Sequence, residues 1–273
     1  MQATQSPQAP SSIFIVASAY GVDFVQKQGH AAVLPLAANA GADGLEVRRE
    51  LFLDSDAEIA LQLAGLKSIF DAHGLQAMYS APESLFRPGG DLDLALLASR
   101  LHEAEVLGAA TLKLQMHGYA GRVDAPALQR ALSRSPATLL LENGQQESGC
   151  RISEFAGFFA ACSASFPAIP VAMTFDIGNW SWAGEDPVAA VQALAPHVRY
   201  IHCKDVQGSG MRRFAVALDE GSVDWRACLS RLPGAVPRAI EYPLPADPAA
   251  QARHVRQLRA AAASLSCGAG TCQ

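Results

Sequence analysis

The sequence predicts an α/β protein, a single (β/α)8 barrel of the TIM type, and three observations support this fold class. Strand-like apolar runs alternate strictly with helix-like segments, and eight such pairs occur in succession. Strict alternation requires parallel strands with crossover helices, and eight units close into a barrel more readily than they stay open. The chain of 273 residues has the length of one barrel. An open doubly wound sheet is the alternative, but it usually begins with a Gly-rich phosphate turn, and no such turn comes after Gly21.

We expect the barrel to span residues 12–265, between a polar leader over residues 1–11 and a Gly-rich tail over residues 266–273. The glycines Gly41, Gly74 and Gly108 stand where helices should stop. The predicted strands cover residues 12–18, 44–50, 75–80, 111–117, 138–142, 171–176, 198–204 and 237–242. The predicted helices cover residues 23–39, 56–73, 91–107, 124–132, 153–165, 186–194, 225–231 and 248–265.

The composition narrows the class of protein. Half of the residues are hydrophobic and 17% are charged, which is typical of a soluble globular chain. The net charge of −5 disfavours nucleic acid as a partner, and no apolar run is long enough to span a membrane. The leader lacks the basic start of a secretory signal. Six cysteines without a CxxC pair predict reduced, mostly buried thiols and a cytoplasmic location, with a disulfide between Cys267 and Cys272 left open.

Ionisable side chains stand at the ends of four consecutive predicted strands, namely Glu142, Asp176, His202 and Glu241. Taken singly, each acid would more often be a helix cap or an ion-pair partner. In a barrel, however, all four meet at the face that carries the chemistry. A buried carboxylate is costly without a positive partner. Three carboxylates and one imidazole therefore predict a site for one divalent metal, with Mn²⁺ or Mg²⁺ favoured and Co²⁺ or Zn²⁺ also compatible.

Alternation along the strands adds polar residues to the same mouth. In the run from Thr111 to His117, Leu112 and Leu114 should face the helices, so the intervening side chains should point into the barrel. Glu46 and Arg48 should also point inward, where they either pair with each other or contact a substrate. The candidate substrate-binding residues are Glu46, Lys113, Gln115, His117, Asn179, Trp180, Lys204 and Arg212.

Two of these candidates have competing interpretations. Trp180, like Trp182, either stacks on a sugar face or packs into the core. Arg212, like Arg213, either binds a phosphate or carboxylate of the substrate or stays solvated.

Six motifs in order resemble the xylose isomerase-like barrels, in particular the sugar or sugar-phosphate isomerases and epimerases akin to ketose 3-epimerases and hydroxypyruvate isomerase. These motifs are GADGLEV (41–47), LLLENG (139–144), FDIGN (175–179), YIHCKD (200–205), GSVDW (221–225) and AIEYP (239–243). The resemblance implies that Glu142, Asp176, His202 and Glu241 bind one divalent metal, and that Glu142 and Glu241 are the catalytic acid/base pair. At two positions where the epimerases often carry histidine and arginine, this chain has Asn179 and Gly208.

The function implied is isomerisation or epimerisation of a small sugar, sugar phosphate or related hydroxy-carbonyl compound through a metal-stabilised enediolate. Dehydration of a hydroxy-keto acid or an inosose-like substrate on the same site is the alternative. An abasic-site endonuclease shares the barrel, but Ser80 and Asn179 stand where its extra histidines would be expected. A non-catalytic sugar-binding protein is the remaining alternative. The expected partner is a small carbohydrate, without nucleic acid or membrane, and a homodimer stays open.

Overall fold

Ten strands are present in the computed structural model, which describes residues 11–145, 149–165 and 169–268. Eight of them close a parallel barrel in the order β1-β2-β3-β4-β5-β6-β7-β10, with β10 paired to β1, and β8 and β9 form a separate antiparallel hairpin. Their bounds are β1 Ile13–Val16, β2 Gly44–Arg48, β3 Gln76–Ser84, β4 Thr111–Gln115, β5 Thr138–Glu142, β6 Val171–Asp176, β7 Val198–Cys203, β8 Asp205–Gln207, β9 Phe214–Val216 and β10 Arg238–Ile240. The predicted (β/α)8 barrel is confirmed.

The helices begin where the sequence offers a cap. Asp93, Asp124, Asp186 and Asp224 each accept a hydrogen bond from a backbone N–H in the first turn of the next helix, which satisfies donors that the helix itself cannot. The described helices are α1 Val22–Gln28, α2 Leu34–Asn39, α3 Asp56–His73, α4 Leu94–Leu107, α5 Ala125–Leu132, α6 Ile152–Ser165, α7 Trp180–Ala183, α8 Pro187–Leu194, α9 Trp225–Leu229 and α10 Pro248–Gly268.

The prediction of one continuous helix over residues 23–39 is wrong. The segment forms α1, a 3₁₀ turn over His30–Ala32 and then α2. Gly29 ends α1 with a φ of 76°, a left-handed conformation that glycine adopts without a Cβ penalty. Pro35 lies in the first turn of α2, where its missing N–H costs nothing but where it could not continue an earlier helix.

Apolar side chains pack on both faces of the barrel strands, one set between the strands and the helices and the other inside the barrel. Leu112, Leu114 and Met116 belong to the outer core between strands and helices, as the alternation in β4 predicts. The interior is filled below the carboxyl ends of the strands by a small cluster of buried side chains, Phe14, Val16, Met78, Leu140, Ala172, Tyr200 and Ala239. This cluster forms an apolar floor inside the barrel. Polar side chains one layer closer to the carboxyl ends of the strands are therefore shielded from solvent on the side that faces this floor.

The long loop after β7 is anchored by Asp205. Its Oδ1 atom accepts backbone N–H groups of Val206 and Val223 at 2.7 and 3.0 Å, and Oδ2 accepts that of Gly221 at 3.1 Å. The carboxylate thus joins two of the sequence motifs, because it holds the loop over residues 221–223 against the end of β7. The loop carries the β8-β9 hairpin over residues 205–216, which the sequence did not predict.

Within residues 11–145, 149–165 and 169–268, none of the helices combines the length and apolar character needed to cross a membrane. Cys150, Cys162, Cys203 and Cys228 are buried thiols that form no disulfide within the described chain, as predicted. The predicted leader lies outside the described residues except for Ser11, and so does the predicted tail beyond Gly268, where α10 ends. The Cys267–Cys272 disulfide likewise falls outside the described side chains.

Candidate metal centre

The four strand-end residues converge as the sequence predicts. Glu142, Asp176, His202 and Glu241 each present one ligand atom, and these atoms all lie within 4.8 Å of one another. The convergence results from the barrel order, because the four residues lie at or within one residue of the ends of β5, β6, β7 and β10, which are consecutive neighbours. Asp176 and His202 stand at the same level in the β6-β7 ladder.

The two ring nitrogens of His202 have different surroundings. Nε2 lies 2.7 Å from Oε2 of Glu46, on the barrel side. Nδ1 faces the other acids, at 2.7 Å from Oε1 of Glu142, 3.0 Å from Oε2 of Glu241 and 3.6 Å from Oδ2 of Asp176. Nε2 is therefore hydrogen-bonded to Glu46, and Nδ1 is directed at the point where the other three carboxylates meet.

Three of the converging atoms fit a bound cation. Oε1 of Glu142, Oδ2 of Asp176 and Nδ1 of His202 are buried and have no hydrogen bond in the described part of the chain, although they lie at ion-pair distances from their neighbours. Buried polar atoms are nearly always hydrogen-bonded, and these three face one point, so they fit a bound cation in addition to the Lys204 ammonium beside Asp176. A set of three carboxylates and one imidazole suits Mn²⁺ or Mg²⁺ and also Zn²⁺ or Co²⁺.

Three cationic side chains form ion pairs with these acids. Lys204 Nζ lies 2.7 Å from both Asp176 Oδ2 and Glu241 Oε2. Lys113 Nζ lies 2.7 Å from Glu142 Oε2 and 3.4 Å from Glu46 Oε1. The third is Arg48, whose guanidinium pairs with Glu241 and Glu50.

The net charge of this ion-pair network can be balanced by one divalent cation. Its carboxylates are Glu46, Glu50, Glu142, Asp176 and Glu241, and its cations are Arg48, Lys113 and Lys204. Five negative and three positive groups leave two negative charges when His202 is neutral, as it must be to bind a cation through Nδ1, and one divalent cation balances them. Without a cation, the charges of Glu241, Glu46 and Glu142 outweigh burial and raise the pKa of His202 well above 6.5, so its ring then carries positive charge.

The pKa values of the acids show where positive charge is most needed. Burial acts to raise the pKa of Glu46, but the charges of His202 and Lys113 outweigh it and lower the pKa to about 2. The pKa values of Glu142 and Glu241 are lowered by the same kind of competition. Asp176 differs, because burial together with the charge of Glu241 outweighs Lys204 and raises its pKa to about 6. Among these acids, Asp176 has the least compensated charge.

Asn143 is a residue that the sequence interpretation missed. Its side chain accepts the backbone N–H of Asp176 at 2.8 Å and donates to the Asp176 carbonyl at 2.9 Å, which ties β5 to β6 just above Glu142. The other Asp176 oxygen, Oδ1, accepts the N–H groups of Gly178 and Asn179 at 2.9 Å each. Asp176 is thus fixed on every side but one. The sequence signal that could have identified Asn143 was its amide side chain directly after Glu142, the glutamate at the end of a predicted strand.

A cavity of about 310 Å³ opens above the four ligands. Of the predicted substrate-binding residues, Gln115, His117, Asn179 and Lys204 line it. Asn179 also donates to the Asn143 carbonyl and accepts from Gln145, so part of its bonding capacity is used by the protein. The complete lining is Arg48, Ser80, Ala81, Pro82, Gln115, His117, Glu142, Gly144, Gln145, Asn179, Lys204 and Glu241.

Gly144 keeps this cavity open. A Cβ atom at this position would lie 2.8 Å from both Gln115 Oε1 and His117 Cε1, closer than side chains normally pack. Any larger residue would therefore push one of the two lining side chains out of place. The sequence motif contained this glycine, but nothing in the sequence showed which side chains it faces.

Three predicted substrate-binding residues, Glu46, Lys113 and Trp180, lie outside the cavity lining. Glu46 lies beneath the ligands with 0% exposure, bonded to His202, and Lys113 lies beside it with 1% exposure, paired with Glu142. Trp180 is buried in the core against Phe155 and Phe175, with ring centroids at 6.2 and 5.5 Å. Trp180 thus follows the core-packing alternative, and contact of Glu46 or Lys113 with a substrate stays a prediction.

Two further expectations concern Arg48 and Arg212. Glu46 and Arg48 do not form the anticipated pair, because Arg48 bonds to Glu50 and to Glu241 Oε1 at 2.9 Å. Arg212 is exposed in a 3₁₀ turn, Gly210–Arg212, at the tip of the β8-β9 hairpin, outside the cavity lining. Its contact with a substrate stays a prediction.

A family model described as xylose isomerase-like TIM barrel matches residues 34–259 of the chain. The chain belongs to this family. The match covers seven of the eight barrel strands, from β2 to β10, and all four converging ligands. No curated protein matches the xylose isomerase-like chain at a significant level.

Solved structures share the barrel of this xylose isomerase-like protein at low sequence identity. An L-ribulose 3-epimerase is 18% identical with a TM-score of 0.67, and the match covers 95% of this chain and 97% of that one. D-psicose 3-epimerase from Clostridium cellulolyticum H10, solved with D-tagatose, is 13% identical with a TM-score of 0.65, covering 93% and 98%. The probable 3-DHS dehydratase AsbF from Bacillus anthracis is 12% identical with a TM-score of 0.64, covering 90% and 98%. At these identities the likeness establishes the fold alone.

Proposed function

We propose that this chain is a divalent-metal-dependent isomerase or epimerase of a small sugar or a related hydroxy-carbonyl compound. The observation that carries the proposal is the convergence of four ligand atoms, all within 4.8 Å of one another, beneath a polar cavity. Glu142 and Glu241 each also hold their second carboxylate oxygen beside this cluster. The similarity of the fold to sugar 3-epimerases supports the same reaction class. The buried thiols of the described residues support a cytoplasmic location.

A bound cation would polarise the substrate carbonyl and stabilise the negative charge that develops when the neighbouring carbon loses a proton. The protein then has to move that proton. Glu142 and Glu241 both line the cavity, and each turns one oxygen toward the ligand cluster and keeps the other apart from it. Each can therefore hold or return a proton beside the substrate.

The two glutamates are not equivalent. Glu142 Oε2 accepts from both Lys113 Nζ and Gln115 Nε2 at 2.7 Å, and its side chain is 5% exposed. Glu241 Oε1 accepts only from Arg48 among the described residues, and its side chain is 13% exposed. Glu241 is thus the better placed base. Epimerisation requires both glutamates, on opposite faces of one carbon, whereas aldose–ketose isomerisation requires one.

The lining side chains suit a polyhydroxy substrate. Gln115 Oε1 is buried without a hydrogen bond in the described chain, and it faces the cavity beside Gly144, so it can accept from a substrate hydroxyl. Lys204 can donate to a substrate oxygen once its carboxylate partners bind a cation. His117 also lines the cavity, which adds a ring that can donate or accept.

Dehydration of a hydroxy-keto acid is the second candidate. It begins with the same proton abstraction, and the similar fold of a probable 3-DHS dehydratase favours it specifically. The two reactions differ after the proton is removed, because a dehydratase must then protonate a departing hydroxyl group. Glu142 and Lys204 line the cavity and are available for that step.

Deuterium wash-in tests the proposal without knowledge of the product. The Mn²⁺-loaded protein would be incubated in D₂O with a panel of ketoses, aldoses and hydroxy-keto acids, and exchange at carbon would be read by NMR. We expect exchange with at least one panel member, lost on chelation and in Glu241→Gln. Glu103→Gln is the matched control, because it alters a buried glutamate that bonds to Arg49, Tyr79 and Arg100 and to none of the four ligands.

The pattern of products separates the candidates. Exchange with epimer formation identifies an epimerase, exchange with aldose–ketose conversion an isomerase, and loss of water a dehydratase. Metal-independent exchange, or no exchange across the whole panel, would overturn the proposal.

A further inference from the structure

Glu46 is a buried acid that the proposed proton transfer does not use. It lies in the middle of β2 with 0% exposure, just above the apolar floor of the barrel. Oε2 lies 2.7 Å from Nε2 of His202, whose side chain is also fully buried. A buried carboxylate in such a place is costly unless it bonds to a group whose position matters.

This contact determines which ring nitrogen can bind a cation. A carboxylate has acceptor sites only, so the proton in the 2.7 Å contact belongs to Nε2 of His202. The lone pair of a neutral ring then lies on Nδ1, which is the nitrogen that faces Glu142, Asp176 and Glu241. The contact also fixes the plane of the ring, because Nε2 is held on the opposite side from the ligand cluster.

Lys113 couples Glu46 to a second ligand. Its ammonium lies 3.4 Å from Glu46 Oε1 and 2.7 Å from Glu142 Oε2. Two ligands from different strands, His202 and Glu142, are thus braced by one buried pair from β2 and β4. The Glu46–Lys113 pair lies inside the barrel and outside the cavity lining.

We propose that Glu46 is a positioning residue for the metal, which holds His202 as an Nδ1 ligand and, through Lys113, steadies Glu142. The inference rests on the proposed metal dependence. Hydrogen-bonded carboxylates behind metal-binding histidines typically change metal affinity by about 10- to 100-fold when removed. Glu46 therefore acts through His202 and not on the substrate.

Metal titration of the chelated full-length protein tests this assignment. Mn²⁺ and Zn²⁺ affinities would be measured by calorimetry for wild type, Glu46→Gln and Glu103→Gln. Glu46→Gln keeps the shape of the side chain but removes the charge, and we expect about 10- to 100-fold weaker binding. In Glu103→Gln the affinity should stay within about twofold even if the melting temperature falls, since sites without shared partners act independently.

The state of the histidine ring provides a readout that loss of stability would not change. In the Zn²⁺-loaded wild type, ¹⁵N NMR should show His202 with zinc on Nδ1 and a proton on Nε2, and the downfield Nε2–H resonance should disappear in His202→Asn. This measurement needs only the wild type and one assignment variant, so it decides the question even if Glu46→Gln does not fold.

The outcomes separate this inference from the proposed function. A wild type that binds no metal would overturn the proposed function itself. Stoichiometric binding with equal affinities in wild type and Glu46→Gln, or zinc on Nε2 of His202, would overturn the positioning role and leave the metal site intact.

Discussion

The Nδ1 atom of His202 lies 2.7 Å from Oε1 of Glu142 and 3.0 Å from Oε2 of Glu241. The other ring nitrogen is already engaged by Glu46 at 2.7 Å. Such close contacts require positive charge beside the oxygens, either a proton on Nδ1 or a bound cation. Burial opposes protonation, but the charges of Glu241, Glu46 and Glu142 raise the pKa of His202 well above 6.5. A metal ion bound at the point where Asp176 and Glu241 also converge would supply that charge in place of the proton.

Gly144→Ala should impair catalysis and leave metal binding unchanged. The added methyl group would meet Gln115 Oε1 and His117 Cε1 at 2.8 Å, so the cavity lining must shift. A displacement of about 1 Å in a positioning group can lower kcat by about 100-fold. Steady-state kinetics on the best panel substrate, together with Mn²⁺ calorimetry, would check this expectation.

Gly65→Ala is the matched control for that substitution. Gly65 lies in the exposed interior of α3, and a Cβ there would meet no atom within 4 Å. We expect a gain of about 0.5–1 kcal/mol in the free energy of unfolding, because alanine loses less conformational entropy in a helix. Equal kinetic losses in the two variants would show that Gly144 has no special relation to the cavity.

Trp180→Ala should destabilise the protein far more than Trp182→Ala. Trp180 is fully buried against Phe155 and Phe175, whereas Trp182, two residues later, is partly exposed. Truncation of a buried tryptophan costs about 3–5 kcal/mol, because it removes apolar contacts and leaves a cavity. Chemical denaturation would compare the two free energies of unfolding, and a smaller loss for Trp180→Ala would contradict its assignment to the core.

His30 should make folding stability depend on pH. The ring is buried, stacks on Phe52 with centroids 4.3 Å apart and accepts the Arg48 N–H on Nε2. Burial lowers its pKa from 6.5 to about 4. Between these values the unfolded chain binds a proton that the folded chain does not, so stability is full above pH 6.5 and falls toward pH 4. The slope from this one group is at most about 1.4 kcal/mol per pH unit.

A pair of histidine variants isolates that effect. His30→Gln keeps a neutral acceptor for the Arg48 N–H, and the free energy of unfolding should then fall less steeply from pH 7 to pH 5 than in wild type. His73→Gln, at the exposed end of α3, should keep the wild-type slope. Parallel pH profiles in wild type and His30→Gln would show that His30 is not held neutral by the fold.

The barrel and the convergence of the four candidate metal ligands could be predicted because both depend on local patterns. Alternation in β4 fixed which side chains face inward, and the strand ends fixed Glu142, Asp176, His202 and Glu241. Parallel strands in a closed barrel bring such ends together whatever the details of packing.

Depth along the barrel axis could not be predicted. Alternation placed Glu46 and Lys113 on the inner face correctly, but it does not say how far each lies below the mouth. That distance depends on the register between strands, in which Glu46 pairs with Met78 and Lys113 with Leu140, one inward-facing position below the cavity lining. The two side chains therefore lie beside His202 and Glu142, below the cavity whose lining they were expected to join.

Calorimetric titration of the chelated protein with Mn²⁺ tests the central claim most directly. The geometry predicts one saturable ion per chain, and an affinity in Asp176→Asn that is weaker by more than about 100-fold, beyond the loss typical of a residue that only supports a ligand. Absence of saturable binding to the wild type, or an unchanged affinity in Asp176→Asn, would contradict it.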